Sequence, residues 1–167
     1  MHECHEPSPV CFPVSPAWCY NIGKRESRTY EVIHIQKILK YILGDDAVFS
    51  IRGAITIEQD TVEQVVSSTK LVLEEMIRRN NIANDDIVSI IFTATDDIKS
   101  CFPARAAREI GITKAGLMNF KELDVVGSMK MCIRVLMLAN GTKTQSEADH
   151  VYLRDAVKLR PDLAAKH

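Results

Sequence analysis

An arginine stands inside an otherwise apolar run, Met131-Cys132-Ile133-Arg134-Val135-Leu136-Met137-Leu138. Such an unbroken apolar run predicts a buried strand. A guanidinium keeps its charge at any workable pH, so Arg134 needs an anion or a set of acceptors opposite it. Two partners meet that need: a structural Asp or Glu of the chain, or an external anion for which Arg134 is a preorganised receptor. Arg52 offers a second cation. It lies on the polar face of an alternating stretch, with Ser50, Ala54, Thr56 and Glu58, while Phe49, Ile51, Gly53, Ile55 and Ile57 share the other face. Gly53 beside it predicts room for a ligand to approach; a solvated Arg52 is the plainer alternative. Arg105 and Arg108, three positions apart in a short helix opened by Pro103, are expected to point to one side. They form either solvated surface or a rim that collects carboxylates. Glu122, flanked by Leu123 and Val125, is expected to be partly buried.

These side chains need a frame, and the hydrophobic periodicity supplies one. Phe49–Glu58 predicts a half-buried strand. Thr61, with Gln64 three residues on, predicts a capped helix start, followed by an inner stripe of Val62, Val65, Val66, Val72, Leu73 and Met76. Ile87–Thr95 predicts a central strand buried on both faces. A polar loop, Asp96–Ser100, leads to a short helix from Pro103 through Ile110. Met118–Asp124 and a Gly127-Ser128 turn lead into the arginine-bearing strand. Val151–Leu153 and Ala156–Leu159 predict short extended pieces, closed by Arg160-Pro161. Strand, helix, strand, helix, then strands predicts an α+β domain (α/β with a mixed sheet).

The chain has 167 residues, enough for one domain with a proper core and too few to expect two. A formal net charge of −1 shows no electrostatic footprint for nucleic acid or an anionic membrane. Apolar stretches fall short of the ~20 residues a membrane span needs. Five cysteines at irregular spacing, without a C-x-x-C pair, imply neither a disulfide framework nor a zinc site and fit a reducing, cytoplasmic setting.

Composition divides the chain. The first 28 residues hold four of the six prolines, the only tryptophan and three of the five cysteines, without periodicity, and read as irregular or disordered. Residues 29–43 predict a helix with Ile35, Ile38, Leu39 and Ile42 on one face and Gly44 as its stop. His2, Cys4, His5 and Cys11 match no zinc spacing. The start lacks the basic region and apolar core of a secretory signal. Residues 1–47 are therefore expected to be an appendage, or an upstream over-read of the true start, and residues 48–167 the functional domain.

Five segments, in order, resemble the monofunctional chorismate mutases of the AroH class. They are Ile51-Arg52-Gly53-Ala54-Ile55-Thr56, Phe102-Pro103-Ala104-Arg105-Ala106-Ala107-Arg108-Glu109, Glu122-Leu123-Asp124-Val125, Cys132-Ile133-Arg134-Val135, and Val151-Tyr152-Leu153 through Leu159-Arg160-Pro161-Asp162-Leu163. The resemblance covers about residues 48 to 163; residues 1–47 match nothing in the family. It implies a homotrimeric pseudo-barrel with active sites in clefts between subunits. It also implies conversion of chorismate to prephenate, the step committed to phenylalanine and tyrosine in the shikimate route, without cofactor or metal. Arg134 matches the arginine that donates to the breaking ether oxygen and to a substrate carboxylate. Arg52 and Tyr152 match groups that bind the enolpyruvyl carboxylate, and Glu122 the acceptor for the ring hydroxyl. Phe102 matches an apolar wall and Arg108 a carboxylate contact at the mouth. Arg105, Leu159 and Arg160 match rim positions. Asn119 stands where the family pattern has a cysteine, Arg105 replaces a lysine, and the loop around Gly111–Gly116 is about one residue shorter. An asparagine still donates to a hydroxyl or carboxylate, so tuning rather than loss is expected at Asn119. Two other readings are an imine or enamine deaminase of similar architecture and a non-catalytic trimer that binds a carboxylate metabolite; the Glu122 and Tyr152 segments argue against the first.

Overall fold

The computed structural model describes residues 47–164. The helix expected over 29–43 and the His2, Cys4, His5 and Cys11 set lie outside the described residues. Five strands form one mixed sheet in the order β3-β2-β4-β1-β5. They are β1 (Ala47–Thr56), β2 (Ile87–Ala94), β3 (Gly116–Lys121), β4 (Cys132–Gly141) and β5 (Val151–Leu153). The central strand β4 runs antiparallel to both β1 and β2, while the outer pairs β1–β5 and β2–β3 are parallel. Helix α1 (Val62–Asn80) joins β1 to β2, and the short α2 (Ala104–Glu109) joins β2 to the parallel β3.

Registered partners share a face of a sheet. Ile51 and Ile90 both pair with Met137, Gly53 and Phe92 with Val135, and Ile55 and Ala94 with Ile133. These residues pack in one core with Val65, Val72, Leu73 and Met76 of α1 and Ala104 and Ala107 of α2. The helices therefore cover this face. Gly53 sits under α1, where a Cβ would come within 2.4 Å of Met76 Sδ and 3.1 Å of Val72 Cγ2. The space left by its missing side chain is taken by the helix, not kept for a ligand.

The opposite face carries Arg52, Ala54 and Thr56 of β1 beside Leu136, Arg134 and Cys132 of β4, then Ile91 and Thr93 of β2. Among the described residues no helix lies over its β3 side, where Met118 and Phe120 are 54% and 48% exposed. Along β2 and β4 the open-face residues Ile91, Thr93, Arg134, Leu136 and Leu138 are accordingly only half-buried. The expectation of burial on both faces fails within one chain because the two helices both lie on the other side.

Helix α1 begins as the Thr61–Gln64 spacing predicts, with Thr61 Oγ1 accepting from the Gln64 N–H at 3.2 Å. The Gln64 side chain reaches further back, accepting from the N–H groups of Glu58 and Gln59 at 3.1 Å each. Val62, at the first helical position ahead of the sheet, is 42% exposed and drops out of the inner stripe. The expected extended piece at Ala156–Leu159 is a 3-10 helix, η1 (Arg154–Leu159), followed by α3 (Pro161–Ala164). Ala156 of η1 is fully buried against Ala54 and Cys132, so this segment folds onto the open face and carries Leu159 and Arg160 with it.

Two local devices fix the start of β4. Thr95 donates its N–H to Cys132 O at 3.1 Å and its Oγ1 accepts from the Cys132 N–H at 3.0 Å. Asp97 accepts from the Met131 N–H at 2.8 Å and also from the Thr95 hydroxyl. The turn before it closes with Ser128 N–H donating to Val125 O at 2.9 Å, and Gly127 supplies the positive φ of 80° that this turn requires. Arg134 therefore enters the sheet two residues after a fully pinned segment.

Candidate active site

Arg134 rises from the middle of the sheet, flanked in register by Ala54 on β1 and Thr93 on β2. Its side chain is 40% exposed, which is half-buried rather than deep in a core. The guanidinium stem is nonetheless enclosed: Nε is buried and, among the described residues, has no hydrogen-bond partner. Among the described residues its ion-pair partner is Glu122 Oε2 at 3.6 Å, beyond hydrogen-bond reach. Glu122 follows directly on β3, with its N–H donating to Ala94 O at 2.9 Å. Its carboxylate is 22% exposed and Oε2 accepts from Thr93 Oγ1 at 2.5 Å.

Arg134 opens into a cleft of about 470 Å³ lined by Arg52, Ala54, Thr93, Tyr152, Leu159 and Arg160 among others. Arg52 is exposed; its backbone N–H donates to His150 Nδ1 at 3.1 Å, just ahead of β5. Tyr152 comes from β5, opposite Ala54 in the parallel register. Arg160 makes a two-pronged contact with Asp162, Nε to Oδ1 at 2.9 Å and Nη2 to Oδ2 at 2.7 Å. That pairing holds the Asp162 carboxyl below its usual range. Beneath Arg134, burial pushes the Cys132 thiol up despite the nearby guanidinium, so it stays protonated and unreactive near neutral pH.

The remaining predicted residues lie elsewhere on the chain. Phe102, 75% exposed, and Asn119 line a second cleft of about 360 Å³ with Phe92, Thr95, Lys99 and Lys121. Asn119 pairs with Phe92 and its Oδ1 accepts from the Ala104 N–H at 3.2 Å, so it caps the start of α2. Arg105 and Arg108 do not act on one side. Arg105 Nε donates to Glu109 Oε1 at 2.8 Å and lines a groove against α1, while Arg108 lines a small cleft with Ile112, Thr113 and Leu117. A six-residue helix wedged between α1 and β3 sends two neighbouring arginines to different surfaces. One chain thus unites Arg52, Glu122, Arg134, Tyr152, Leu159 and Arg160, and sets Phe102, Asn119, Arg105 and Arg108 apart. Thr93 escaped the sequence reading; its only signal was a hydroxyl in an apolar central strand.

Arg52, Arg134 and Arg160 thus line one cleft on the open face of a mixed sheet in an α+β domain, with the Glu122 carboxylate beside Arg134. The sequence pattern of the type I chorismate mutases matches residues 48–163. The chain belongs to this family of isomerases. It is 46% identical over 114 residues to a chorismate mutase of Thermus thermophilus, covering 68% of this chain and 93% of the relative. It is 42% identical over 115 residues to one of Bacillus subtilis, covering 68% and 91%. A solved chorismate mutase structure from Clostridium thermocellum superposes with a TM-score of 0.64 at 45% identity, covering 65% of this chain and 96% of that one. These matches favour an isomerase over a deaminase or a non-catalytic binding protein.

Proposed function

We propose that this chain converts chorismate to prephenate at the Arg134 cleft, in aromatic amino acid biosynthesis. The observation that carries the reading is a half-buried Arg134 whose buried Nε is unpartnered among the described residues, with a carboxylate just out of hydrogen-bond reach. Chorismate is a dianion whose enolpyruvyl ether must fold over its ring before one C–O bond breaks and one C–C bond forms. This rearrangement moves no proton and needs no nucleophile. Catalysis then consists of holding the compact conformer and stabilising the charge that separates as the ether opens. In this reading Arg134 donates to the ether oxygen and a substrate carboxylate, and Arg52 and Tyr152 grip the enolpyruvyl carboxylate. Glu122 accepts from the ring hydroxyl, opposite the developing positive ring. Leu159 and Arg160 close the rim.

Phe102, Asn119, Arg105 and Arg108 reach the same substrate only from another copy. A homotrimer with clefts between subunits supplies them, and it gives the exposed Met118 and Phe120 an apolar surface to meet. The reading assigns the activity to residues 48–167 and none of it to 1–47. A cytoplasmic setting suits the free thiols of Cys101 and Cys132.

The test is chorismate consumption and prephenate formation by the purified protein; no acceleration over the uncatalysed background would falsify the reading. A protein beginning at Val48 is expected to keep full turnover. Mixing two inactive variants, Arg134→Ala and Phe102→Ala with Arg108→Ala, is expected to restore part of the activity through hybrid trimers. No restoration after subunit exchange contradicts clefts shared between copies.

A further inference from the structure

We propose that Thr93 is a positioning residue that holds the Glu122 carboxylate off Arg134, so that the arginine's donors stay available to substrate. The inference rests on the chorismate mutase reading and deepens it. Arg134 and Glu122 carry opposite charges yet do not close on each other. They stand 3.6 Å apart through Nε and Oε2, and Nε is buried with no hydrogen-bond partner. A charged donor left unmet in an enclosed position is costly. Closing the gap to the ~2.7–2.9 Å of a charge-assisted bond would relieve it. The pair has a strong reason to close, and something restrains it.

The restraint is visible at both ends of Glu122. Its backbone N–H is anchored to Ala94 O at 2.9 Å, and its Oε2 is held by Thr93 Oγ1 at 2.5 Å. Thr93 is the register partner of Arg134 across the β2–β4 ladder, so its hydroxyl stands beside the arginine's own stem. A β-branched side chain has little χ1 freedom, and one in a central strand has less. The Oε2 atom nearest to Arg134 is therefore the atom that Thr93 engages. Without that hydroxyl, the guanidinium is the cation within 4 Å of the carboxylate among the described residues, and the two groups would pair with each other. Substrate would then have to displace an internal counter-ion on every turnover.

The consequence is a penalty seen in substrate capture at least as strongly as in turnover. Thr93→Val keeps the shape and removes the donor. It is expected to lower kcat/KM by about ten- to a hundredfold, the effect of losing one hydrogen bond to a charged group, with the rise in KM at least as large as the fall in kcat. Thr93→Ser, which restores the hydroxyl, is expected to recover most of the loss. In a Glu122→Gln background Thr93→Val is expected to cost less than about threefold, because the two side chains act as a unit. A merely structural threonine would give the same loss in both backgrounds, and so would one that touched substrate itself. Equal losses, or a valine variant at wild-type rates, overturn the proposal. Should valine unfold the domain, Thr93→Ala measured in the same two backgrounds decides by the same criterion. Unmutated protein that leaves chorismate untouched overturns the function, and the positioning role falls with it.

Discussion

Two faces of one sheet divide the work of this molecule, and they alternate residue by residue along the same strands. On the helix-covered face Ile133, Val135 and Met137 of β4 are buried against α1 and α2. On the open face Arg134, Leu136 and Leu138 are half-buried, and Arg134 ends in a cleft. Along β1 the buried Ile51 and Gly53 enclose the exposed Arg52. The covered face is closed by dispersion and the hydrophobic effect, which reward contact and tolerate little change in volume. The open face holds an arginine whose buried Nε stands 3.6 Å from a carboxylate, short of a hydrogen bond. Substitutions one residue apart should therefore have opposite consequences, one on catalysis and one on folding.

The largest effect is expected at Arg134. Arg134→Ala should raise the barrier by at least about 3 kcal/mol, by analogy with removal of an oxyanion donor, while the unfolding midpoint stays near that of the unmutated protein. Arg134→Lys should also be severely impaired, since a point charge does not reproduce a planar fork. Steady-state kinetics beside chemical denaturation checks both. A lysine variant with near-normal turnover removes the role assigned to the arginine, and an alanine variant that unfolds readily erases the distinction between the faces.

Gly53→Ala tests the covered face. Its Cβ would meet Met76 Sδ at 2.4 Å, and Met76 is fully buried with little room to yield. A loss of about 1–3 kcal/mol of stability is expected, as for other over-packed cores, with turnover at low temperature much less affected. Urea titration followed by the chorismate assay separates the two. If stability is kept and activity lost, Gly53 serves the cleft after all.

The smallest effect belongs to neither face. Glu75, on the outer side of α1, is paired with Arg78 at 2.7 Å and Arg79 at 2.6 Å, and these hold its carboxyl at about 2 against an ordinary 4.5. A depressed carboxyl adds stability that is present above its unfolded value and lost as pH falls through its folded one. Glu75→Gln should therefore cost less than about 1 kcal/mol at pH 7, and the gap to the unmutated protein should close between pH 4.5 and 2. Thermal melts across that range give the answer. A gap that widens on acidification contradicts the pairing.

Much of the frame was legible in the chain. Alternation in Phe49–Glu58 marked β1, the Thr61–Gln64 spacing marked the start of α1, and Pro103 marked α2, because strand pleat, helix cap and proline geometry are local properties. Five ordered segments pointed to the family, and the match over residues 48–163 bears that out. The misreadings concern what lies across a gap in sequence. Ile87–Thr95 and the Arg134 run looked buried on both faces because apolar residues on an uncovered face carry the same letters as those in a core. Gly53 reads as room for a ligand because nothing local says that Met76 occupies the space. Arg105 and Arg108 share a side on an ideal helix, yet each turns to its nearest surface.

Residue types and short-range spacing were enough to specify the strands, the capped helix, the family and the presence of an arginine that needed an anion. They could not specify which groups meet. The ladder placing Thr93 beside Arg134, and the hydrogen bond tying Glu122 to Ala94, join residues whose separation in the chain carries no periodicity. Register is set by the packing of a whole sheet against its helices. For that reason only the tertiary structure shows that the anion beside the arginine is a carboxylate 3.6 Å away, which accepts a hydrogen bond from a threonine of the next strand.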